Sequence, residues 1–305
     1  MKTKKQNKHI IIDADSLIYR AATLNEEMFD FGEGGSITEV DYKSATECLK
    51  ESLDDILKET NARDYKAYIT GSNNFRYEIL PSYKSNRKDI KKPELLNALS
   101  EFAMSELDFI KVDGMEADDA CCIDMTKEKG CILCHIDKDL NQIAGTHYNW
   151  NKKEFYEVSE QEGLEFFYMQ VLTGDPSDGY KGCHGVGKVK AYEAIKELIE
   201  PLPIQDYKIN KHNKEEIPFL KWVYMDVIAY KDLEVTLWNI VVSNYQKALA
   251  TSKNISTIEE YNSLRDEAQS LALTQAKVAY MLKSKDIKKD GEIIGFKCPI
   301  LGGGT

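Results

Sequence analysis

The sequence predicts an α/β protein in which a parallel-sheet core is followed by a mostly helical C-terminal subdomain. Short apolar runs at His9–Ile12, Tyr65–Thr70 and Cys131–Ile136 are typical of buried strands. Segments with helical spacing separate these runs, and this alternation predicts a parallel sheet. Acidic residues follow two of the runs directly, and ligand sites in such sheets lie beyond the carboxyl ends of the strands.

The helices of the first part are predicted from apolar stripes at helical spacing. They are Thr38–Lys58, Leu95–Leu107 and Ala117–Thr126. A weaker strand pair is expected around Tyr148 and Phe155. These elements indicate a first domain over residues 1–162.

The pattern becomes helical after about Gly163, which indicates a second domain over residues 163–305. Its predicted helices are Leu164–Leu172, Lys188–Ile199, Phe219–Ala229, Leu237–Ala248 and Glu259–Leu282. The glycine-rich tail Leu301–Thr305 is expected to be disordered.

Composition excludes some classes of protein and leaves others open. With 42% hydrophobic and 30% charged residues among 305, the chain has ordinary soluble composition. It has no apolar stretch of the roughly 18 residues that a membrane span needs, and its start lacks the apolar region of a secretory signal. We therefore expect a cytoplasmic protein. The net charge of −11 argues against a nucleic-acid partner unless some acids bind metal ions.

The seven cysteines do not indicate a zinc site. Cys131 and Cys134 form a C-x-x-C pair, but no second pair of Cys or His stands at a matching spacing. Because the surrounding stretch is apolar, we expect these thiols to be reduced and buried in the core.

Four acidic clusters carry the main chemical signal. They are Asp13 with Asp15, Glu116 with Asp118 and Asp119, Asp137 with Asp139, and Asp175 with Asp178. Mg²⁺ and Mn²⁺ prefer carboxylate oxygens, and two such ions about 4 Å apart can promote displacement at a phosphodiester. Each cluster alone is equally typical of a turn or a helix start. Four clusters beside apolar elements favour a site for two Mg²⁺ or Mn²⁺ ions.

A basic segment, Pro81–Pro93, combines five lysines and arginines with one acid. Lys84, Arg87 and Lys88 lie close to Tyr83, and such interleaving suits a nucleic-acid strand because charges hold phosphates while a ring stacks on a base. A solvated charged loop is the alternative. The position of the segment after a predicted strand of the sheet favours binding.

A glycine-rich stretch, Gly182–Lys190, leads into a predicted helix. It does not match a Walker loop, because Val189 stands where Ser or Thr is required. Gly185, Gly187 and Lys188 better fit a hairpin between helices whose exposed backbone N–H groups bind a phosphate.

In this order the motifs resemble those of the flap endonuclease/5′→3′ exonuclease superfamily, with the greatest likeness to exonucleases of T-odd tailed bacteriophages. The matching stretches are IIIDADSLIYR, ILPSYKSNRK, MEADDA, IDKDL and GDPSDGYKGCHGVGK. They extend from Ile10 to about Ile195, nearly two thirds of the chain. The resemblance implies a PIN-like core, a helical arch at about 72–112, and a helix–three-turn–helix motif at about 174–200 that binds duplex DNA.

The resemblance also implies roles for individual residues. The metal ligands would be Asp13, Glu116, Asp118, Asp119, Asp137, Asp139, Asp175 and Asp178. Arg20 and Lys84 would address the scissile phosphate. The remaining DNA contacts would come from Tyr83, Arg87, Lys88, Gly185, Gly187 and Lys188.

The expected activity is 5′→3′ hydrolysis of duplex DNA at an end, nick or flap during phage replication or recombination. RNA of RNA–DNA hybrids is a further expected substrate. Exonuclease and structure-specific flap endonuclease both remain open, and a monomer in the cytoplasm of an infected bacterium is expected.

One position departs from the family pattern. Gly71 stands where many members carry an aspartate at the end of the second strand. Asp15 follows two residues after Asp13, which on an extended strand would place both side chains on one face. We hypothesise that Asp15 replaces part of the missing charge and that an aspartate at position 71 would restore it. The alternative is that Asp15 only caps the helix that begins near Ser16.

Two other classes of function remain as alternatives. A haloacid-dehalogenase-type phosphatase would use Asp13 as its nucleophile, and Gly174 with Asp175 resembles its late acidic motif. It would have no use for the basic segment or the glycine hairpin. A non-catalytic DNA-binding protein would have no use for eight clustered acids.

Overall fold

The structure is a computed structural model that describes residues 8–30, 36–228 and 232–300. The chain divides into two compact units. The first comprises residues 1–75, 87–160 and 281–293, and the second comprises residues 76–86, 161–280 and 294–305. The predicted tail Leu301–Thr305 lies outside the described residues.

The first unit is built on a six-stranded sheet with a separate hairpin. Its strands are β1 Lys8–Asp13, β2 Glu26–Asp30, β3 Ser36–Val40, β4 Ala62–Thr70, β5 Ile110–Val112, β6 Ile132–His135, β7 Gly145–Asn149 and β8 Glu154–Val158. The sheet order is β5-β4-β1-β6-β7-β8. All neighbours are parallel except β7 and β8, while β2 and β3 form the antiparallel hairpin. The predicted parallel-sheet core is confirmed.

Ten helices occur in the described ranges. They are α1 Asp15–Leu24, α2 Tyr42–Thr60, α3 Arg76–Ile79, α4 Leu96–Glu106, α5 Ala117–Lys127, α6 Glu160–Thr173, α7 Lys188–Lys196, α8 Leu233–Ser252, α9 Ile258–Ser263 and α10 Arg265–Ala279. Short 3-10 helices lie at Ser85–Arg87, Lys138–Gln142 and Ser284–Asp286. None of the helices in the described ranges is both long and apolar enough to cross a membrane.

Alternation along β1 separates two hydrophobic cores. Ile10 and Ile12 pack with α1, α2 and α4 on one face of the sheet, whereas Ile11 packs with α5 on the other. The strand is therefore buried on both sides, which explains its uninterrupted apolar run. Cys131 and Cys134 are buried, and all seven cysteines are free thiols, as predicted.

The second unit contains α6, α7, α8 and α10 together with a long antiparallel hairpin. The hairpin strands are β9 Ile199–Ile209 and β10 Glu216–Asp226. The helix predicted over Phe219–Ala229 is therefore wrong for the part that the structure describes, and β9 was not predicted at all. The helix predicted over Glu259–Leu282 is divided at Leu264 into α9 and α10.

The predicted arch at 72–112 is not one element. Helix α4 buries Leu99 and Ala103 in the core of the first unit, and β5 joins the sheet beside β4. Residues 76–86 belong instead to the second unit. The start of the helix predicted from Thr38 is also wrong, because residues up to Val40 form β3.

Candidate active site

The carboxyl edge of the sheet brings several of the predicted carboxylates together. Asp13 is the last residue of β1, and Asp137 follows the neighbouring strand β6. Asp15 begins α1, and its carboxylate accepts a hydrogen bond of 3.0 Å from the backbone N–H of Thr70, the last residue of β4. Parallel pairing of these strands places their ends side by side, which is why residues far apart in sequence meet here.

The pKa of Asp13 is strongly perturbed. Burial, together with the negative charges of Asp15 and Asp137, raises its pKa from 3.8 to about 8. Its carboxylate accepts weak hydrogen bonds of 3.3 Å from the Asp15 N–H and the Ser16 hydroxyl. The strand end therefore concentrates negative charge that a cation would relieve.

The start of α5 supplies the second cluster. Glu116 precedes the helix, and its side chain and that of Asp119 complete a capping box. The two oxygens of Asp119 accept backbone hydrogen bonds of 3.2 Å from Glu116 and Leu282. Ala117 N–H donates to the Thr70 hydroxyl at 2.8 Å, which ties the helix start to the end of β4.

Asp118 lies in the first turn of α5. Burial and the nearby charges of Asp13, Asp118 and Asp15 raise the pKa of the Cys121 thiol well above its ordinary value. Cys121 is completely buried one helical turn after Asp118. The electrostatic influence of the three carboxylates on one thiol shows that β1, α1 and α5 direct their charges to a common region.

The loop after β6 carries the third cluster. Asp137 is exposed and accepts a hydrogen bond of 2.8 Å from the backbone N–H of Asp139. Asp139 is buried, and Lys138 lies 3.2 Å from its carboxylate. His135, at the end of β6, contacts the carbonyl oxygen of Asp137 at 2.6 Å.

The donors of the first unit suit a hard divalent cation. All are carboxylates, which Mg²⁺ and Mn²⁺ prefer over the nitrogen and sulfur ligands of zinc. Among the residues that the structure describes, no three His, Cys, Asp or Glu side chains converge closely enough to hold a metal ion.

Gly71, where a family carboxylate was expected, stands in a closely packed place. A Cβ atom at this position would lie 2.3 Å from Oδ1 of Asp113 and 2.5 Å from the backbone oxygen of Val112. Asp113 is fixed there by hydrogen bonds from the Ser72 N–H and hydroxyl, which lower its pKa. An aspartate at position 71 would therefore require Asp113 or the backbone at Val112 to shift, and the hypothesis that it would restore a metal ligand stays a prediction.

The structure also corrects the interpretation of Asp15. It is the first residue of a helix rather than part of a strand shared with Asp13, and the N–H at this helix start donates to the Asp13 carboxylate. The Asp15 carboxylate instead holds the N–H of Thr70. The alternative in which Asp15 caps the helix is wrong as well.

Arg20 is exposed on α1, five residues after Asp15. Its guanidinium lies 5.4 Å from the centre of the Trp150 ring. Trp150 follows β7, so this contact also lies at the carboxyl edge of the sheet. The guanidinium is exposed while it lies over an aromatic face, a cation–π arrangement.

In the second unit, part of the basic segment packs against the fourth acidic cluster. The hydroxyl of Tyr83 donates to Asp178 at 3.0 Å, Lys84 Nζ lies 3.8 Å from the same carboxylate, and Lys84 N–H donates to the Asp178 carbonyl at 2.8 Å. Asp175 accepts hydrogen bonds from the N–H and hydroxyl of Ser177. Tyr83 is only 2% exposed, so the prediction that its ring stacks on a nucleic-acid base is wrong.

The glycine hairpin forms the start of α7. Gly185 has a φ of 77°, a conformation that favours glycine, and Gly187 precedes the first helical residue, Lys188. No atom lies within 4 Å of a Cβ built at either glycine, so the backbone is open to a ligand. Lys188 is exposed here, and Arg87 and Lys88 are exposed in the first unit.

The polar contacts beneath the Asp137 loop were not predicted from the sequence. His135 and His147 are almost completely buried on β6 and β7, and their rings meet at 2.8 Å between Nε2 and Nδ1. Two histidines in predicted buried strands were an available signal. Their pairing could not be deduced, because it depends on the register of the two strands.

Comparison with known proteins supports the family that the sequence motifs resemble. Residues 8–167 match the family model described as "5'-3' exonuclease, N-terminal resolvase-like domain". The chain is 26% identical to the exonuclease of Escherichia phage T7 over 81% of this chain and 84% of that protein.

Two solved structures share the fold. A phage T5 5′-exonuclease with bound zinc ions aligns with a TM-score of 0.54 and 15% identity, covering 90% of this chain and 89% of that one. A phage T5 flap endonuclease in complex with DNA and metal ions aligns with a TM-score of 0.51 and 16% identity, covering 88% of this chain and all of that one. The resemblance seen in the sequence motifs is confirmed. The phosphatase alternative with Asp13 as nucleophile is contradicted by the family match, and the non-catalytic alternative loses its basis.

Proposed function

The chain belongs to the 5′-3′ exonuclease family with an N-terminal resolvase-like domain, and from this we propose that it hydrolyses duplex DNA from the 5′ end with the help of divalent metal ions. The observation that carries the proposal is the acidic carboxyl edge of the sheet. Burial and neighbouring acids raise the pKa of Asp13 there, so a bound cation would favour the ionised form of this carboxylate. A metal-dependent nuclease needs such an edge, whereas a DNA-binding scaffold would be repelled by it.

Mg²⁺ or Mn²⁺ is the proposed cofactor, as two ions. The all-oxygen donor set supports these ions over zinc, although zinc is bound in the T5 5′-exonuclease structure. The first-unit ligands would be drawn from Asp13, Glu116, Asp118, Asp119, Asp137 and Asp139, and Asp175 and Asp178 of the second unit remain predicted ligands. When bound, the ions supply an activated water and stabilise charge on the leaving oxygen.

The residues of the chain itself would bind and orient the DNA. Arg20 and Lys84 are proposed to contact the scissile phosphate, where positive charge stabilises the transition state. Gly185, Gly187 and Lys188 would hold a backbone phosphate at the start of α7. Arg87 and Lys88 would add sequence-independent phosphate contacts.

The nucleic-acid structure that the enzyme cleaves is a more specific proposal. Exonuclease action on a duplex end or nick is the main candidate, and flap cleavage is the second because the T5 relative is named a flap endonuclease. RNA of RNA–DNA hybrids is a further candidate substrate, and the active species is proposed to be a monomer. The phage relatives support a role in phage DNA replication or recombination.

The proposal is tested with end-labelled duplex, nicked, flapped and hybrid substrates in Mg²⁺, Mn²⁺ or EDTA. We expect EDTA to abolish cleavage and Asp137→Asn to lower the rate by more than about 100-fold. The matched control is Asp55→Asn, which removes an equal charge from an exposed pair with Lys153 and should leave the rate unchanged. Full activity in EDTA, or of Asp137→Asn, would refute the proposal.

A further inference from the structure

A buried polar network lies directly beneath the loop Asp137–Ile143. It involves three neighbouring strands, since His135 ends β6, His147 lies in β7 and Tyr156 lies in β8. His147 and Tyr156 are register partners across β7 and β8. The two histidine side chains are at most 1% exposed, which is unusual for imidazoles in the centre of a sheet.

Each member of the network holds a different point of the loop. His135 Nδ1 donates to the carbonyl oxygen of Asp137 at 2.6 Å, and His147 Nε2 donates to that of Ile143 at 2.8 Å. The directions follow because carbonyl oxygens only accept, and two neutral rings that donate in this way have no N–H left for the 2.8 Å contact between His135 Nε2 and His147 Nδ1. The Tyr156 hydroxyl donates to Asn141 Oδ1 at 2.8 Å and lies 3.2 Å from His135 Nε2. The loop is thus fixed at its beginning, middle and end.

The free-energy cost of burying these polar side chains indicates that their role is to determine the path of the loop. Burying imidazole and hydroxyl groups is unfavourable compared with apolar side chains of similar volume unless their hydrogen bonds are satisfied. Apolar residues would stabilise the sheet at these positions without determining the path of the loop. Buried hydrogen bonds to fixed points of the loop, in contrast, select one geometry.

We propose that His135, His147 and Tyr156 are positioning residues that hold Asp137 and Asp139 in place as metal ligands. The inference rests on the proposed function, in which both aspartates bind the ions. The hydrogen bond from the Asp139 N–H to the Asp137 carboxylate transmits the loop geometry to the side chain. The network thereby sets metal affinity without touching metal or DNA, as outer hydrogen-bond partners do in other metal sites.

Tyr156→Phe is the most direct test, since it removes one hydroxyl and keeps the ring that stacks on His147. We expect Mn²⁺ binding, measured by calorimetry on the DNA-free protein, to weaken roughly 10-fold. The Mg²⁺ concentration for half-maximal cleavage should rise in parallel, while the rate at saturating Mg²⁺ stays close to that of the unaltered protein. Asn141→Ala should give the same shift, and the double variant should add little because both remove one hydrogen bond.

Tyr65→Phe is the matched control. It removes a tyrosine hydroxyl that donates to the Leu107 carbonyl at 2.7 Å in the same unit, away from the acidic edge. It should lower stability by a similar amount without changing the metal requirement. An equal rise in metal requirement for Tyr65→Phe would reduce the effect to general stability and overturn the inference.

The outcomes for the two proposals are distinguishable. If Asp137→Asn abolishes Mn²⁺ binding while Tyr156→Phe and Asn141→Ala both bind as the unaltered protein does, the positioning role is wrong and the proposed function stands. If Asp137→Asn itself binds Mn²⁺ normally and remains active, the proposed function fails, and the positioning role fails with it.

Discussion

The two units hold their carboxylates in opposite ways. At the sheet edge of the first unit, Asp13 is buried beside other acids, and its pKa rises to about 8. In the second unit, Asp178 accepts a hydrogen bond from Tyr83 and lies 3.8 Å from Lys84 Nζ, and Asp175 is hydrogen-bonded by Ser177. The neighbours of Asp13 that shift its pKa most are negative, while Asp178 has a positive partner within its own unit.

This difference indicates a division of labour. Uncompensated buried charge is costly to keep unless a ligand relieves it, and it concentrates at functional sites. Charge that is already paired stabilises local structure and positions the partner that pairs with it. Asp13 and its neighbours should therefore respond most strongly to metal binding, and Asp178, besides its predicted role as a ligand, should determine where Lys84 lies.

The largest effect should come from removing the positive charge of Lys84, which lies 3.8 Å from Asp178 in the second unit. Its positive charge is expected to act on the scissile phosphate, so Lys84→Ala should slow single-turnover cleavage by about 100-fold. The dissociation constant for duplex DNA should change much less. Quenched-flow cleavage and fluorescence-anisotropy binding measure the two quantities separately.

Lys188→Ala provides the contrast, because its predicted contact is with a backbone phosphate and not with the reacting one. That variant should weaken binding and reduce the salt dependence of binding by a slope of about 1, with little change in the single-turnover rate. If both lysine variants lost the same affinity and kept their rates, the division between the two roles would be wrong.

The next effect is the pH dependence of the unfolding free energy that arises from Asp13 in the first unit. The pKa of Asp13 in the folded protein, about 8, lies above its ordinary value of 3.8, so folding favours the neutral acid. The stability that this provides is complete below about pH 4 and is lost as the pH rises through 8. Asp13→Asn removes the titration, so its stability relative to the unaltered protein should increase between pH 4 and pH 8, in total by a few kcal/mol at about 1.4 kcal/mol per pKa unit.

Urea unfolding of both proteins in EDTA at several pH values measures this difference. Adding Mg²⁺ should reduce the advantage of Asp13→Asn, because the ion stabilises the ionised carboxylate of the unaltered protein. A stability difference that does not depend on pH would show that Asp13 is compensated in the native protein, and the contrast between the units would disappear.

How far the sequence predicts this arrangement depends on the range of the contacts. Strands such as β1 and β6 were predicted because their apolar runs are local signals, and their order in an α/β pattern located the acidic edge. The burial of Tyr83 was not predictable, since its hydroxyl partner Asp178 lies 95 residues further along the chain. Basic neighbours made Tyr83 look exposed, although the fold buries it.

The hairpin of the second unit shows a different limit. Along β10, Leu220 and Trp222 pack on the small core near Tyr261, whereas Lys221 is exposed. Such a mixture of apolar residues at short spacing is ambiguous between helix and strand. In β9, Pro201 and Pro203 argued against a strand, because a strand tolerates proline only where a neighbouring strand does not need its missing N–H. The sequence alone does not show that this condition is met.

A smaller effect is expected from Gly71, where the first unit lacks a carboxylate that the family pattern includes. Gly71→Ala places a methyl group against the Val112 carbonyl and the Asp113 carboxylate, so β4 and β5 must separate or Asp113 must leave Ser72. We expect a loss of about 1–3 kcal/mol in the free energy of unfolding, typical of overpacking. Gly187→Ala is the control for stability, since no atom lies within 4 Å of a Cβ built at this position. This variant should unfold at nearly the same urea concentration as the unaltered protein.

The smallest expected effect is that of Asp15→Asn, and it decides whether the acidic edge compensates for the missing residue. The asparagine oxygen can still accept the hydrogen bond from the Thr70 N–H, so the fold and the end of β4 should be preserved. Only the negative charge next to Asp13 is lost, and that charge contributes to the raised pKa of Asp13. If Asp15 supplies part of the charge that Gly71 cannot, the Mg²⁺ concentration for half-maximal cleavage should rise several-fold while the melting temperature stays the same. An unchanged Mg²⁺ requirement would mean that Asp15 serves only to hold Thr70, and that the edge functions with one carboxylate fewer than its relatives.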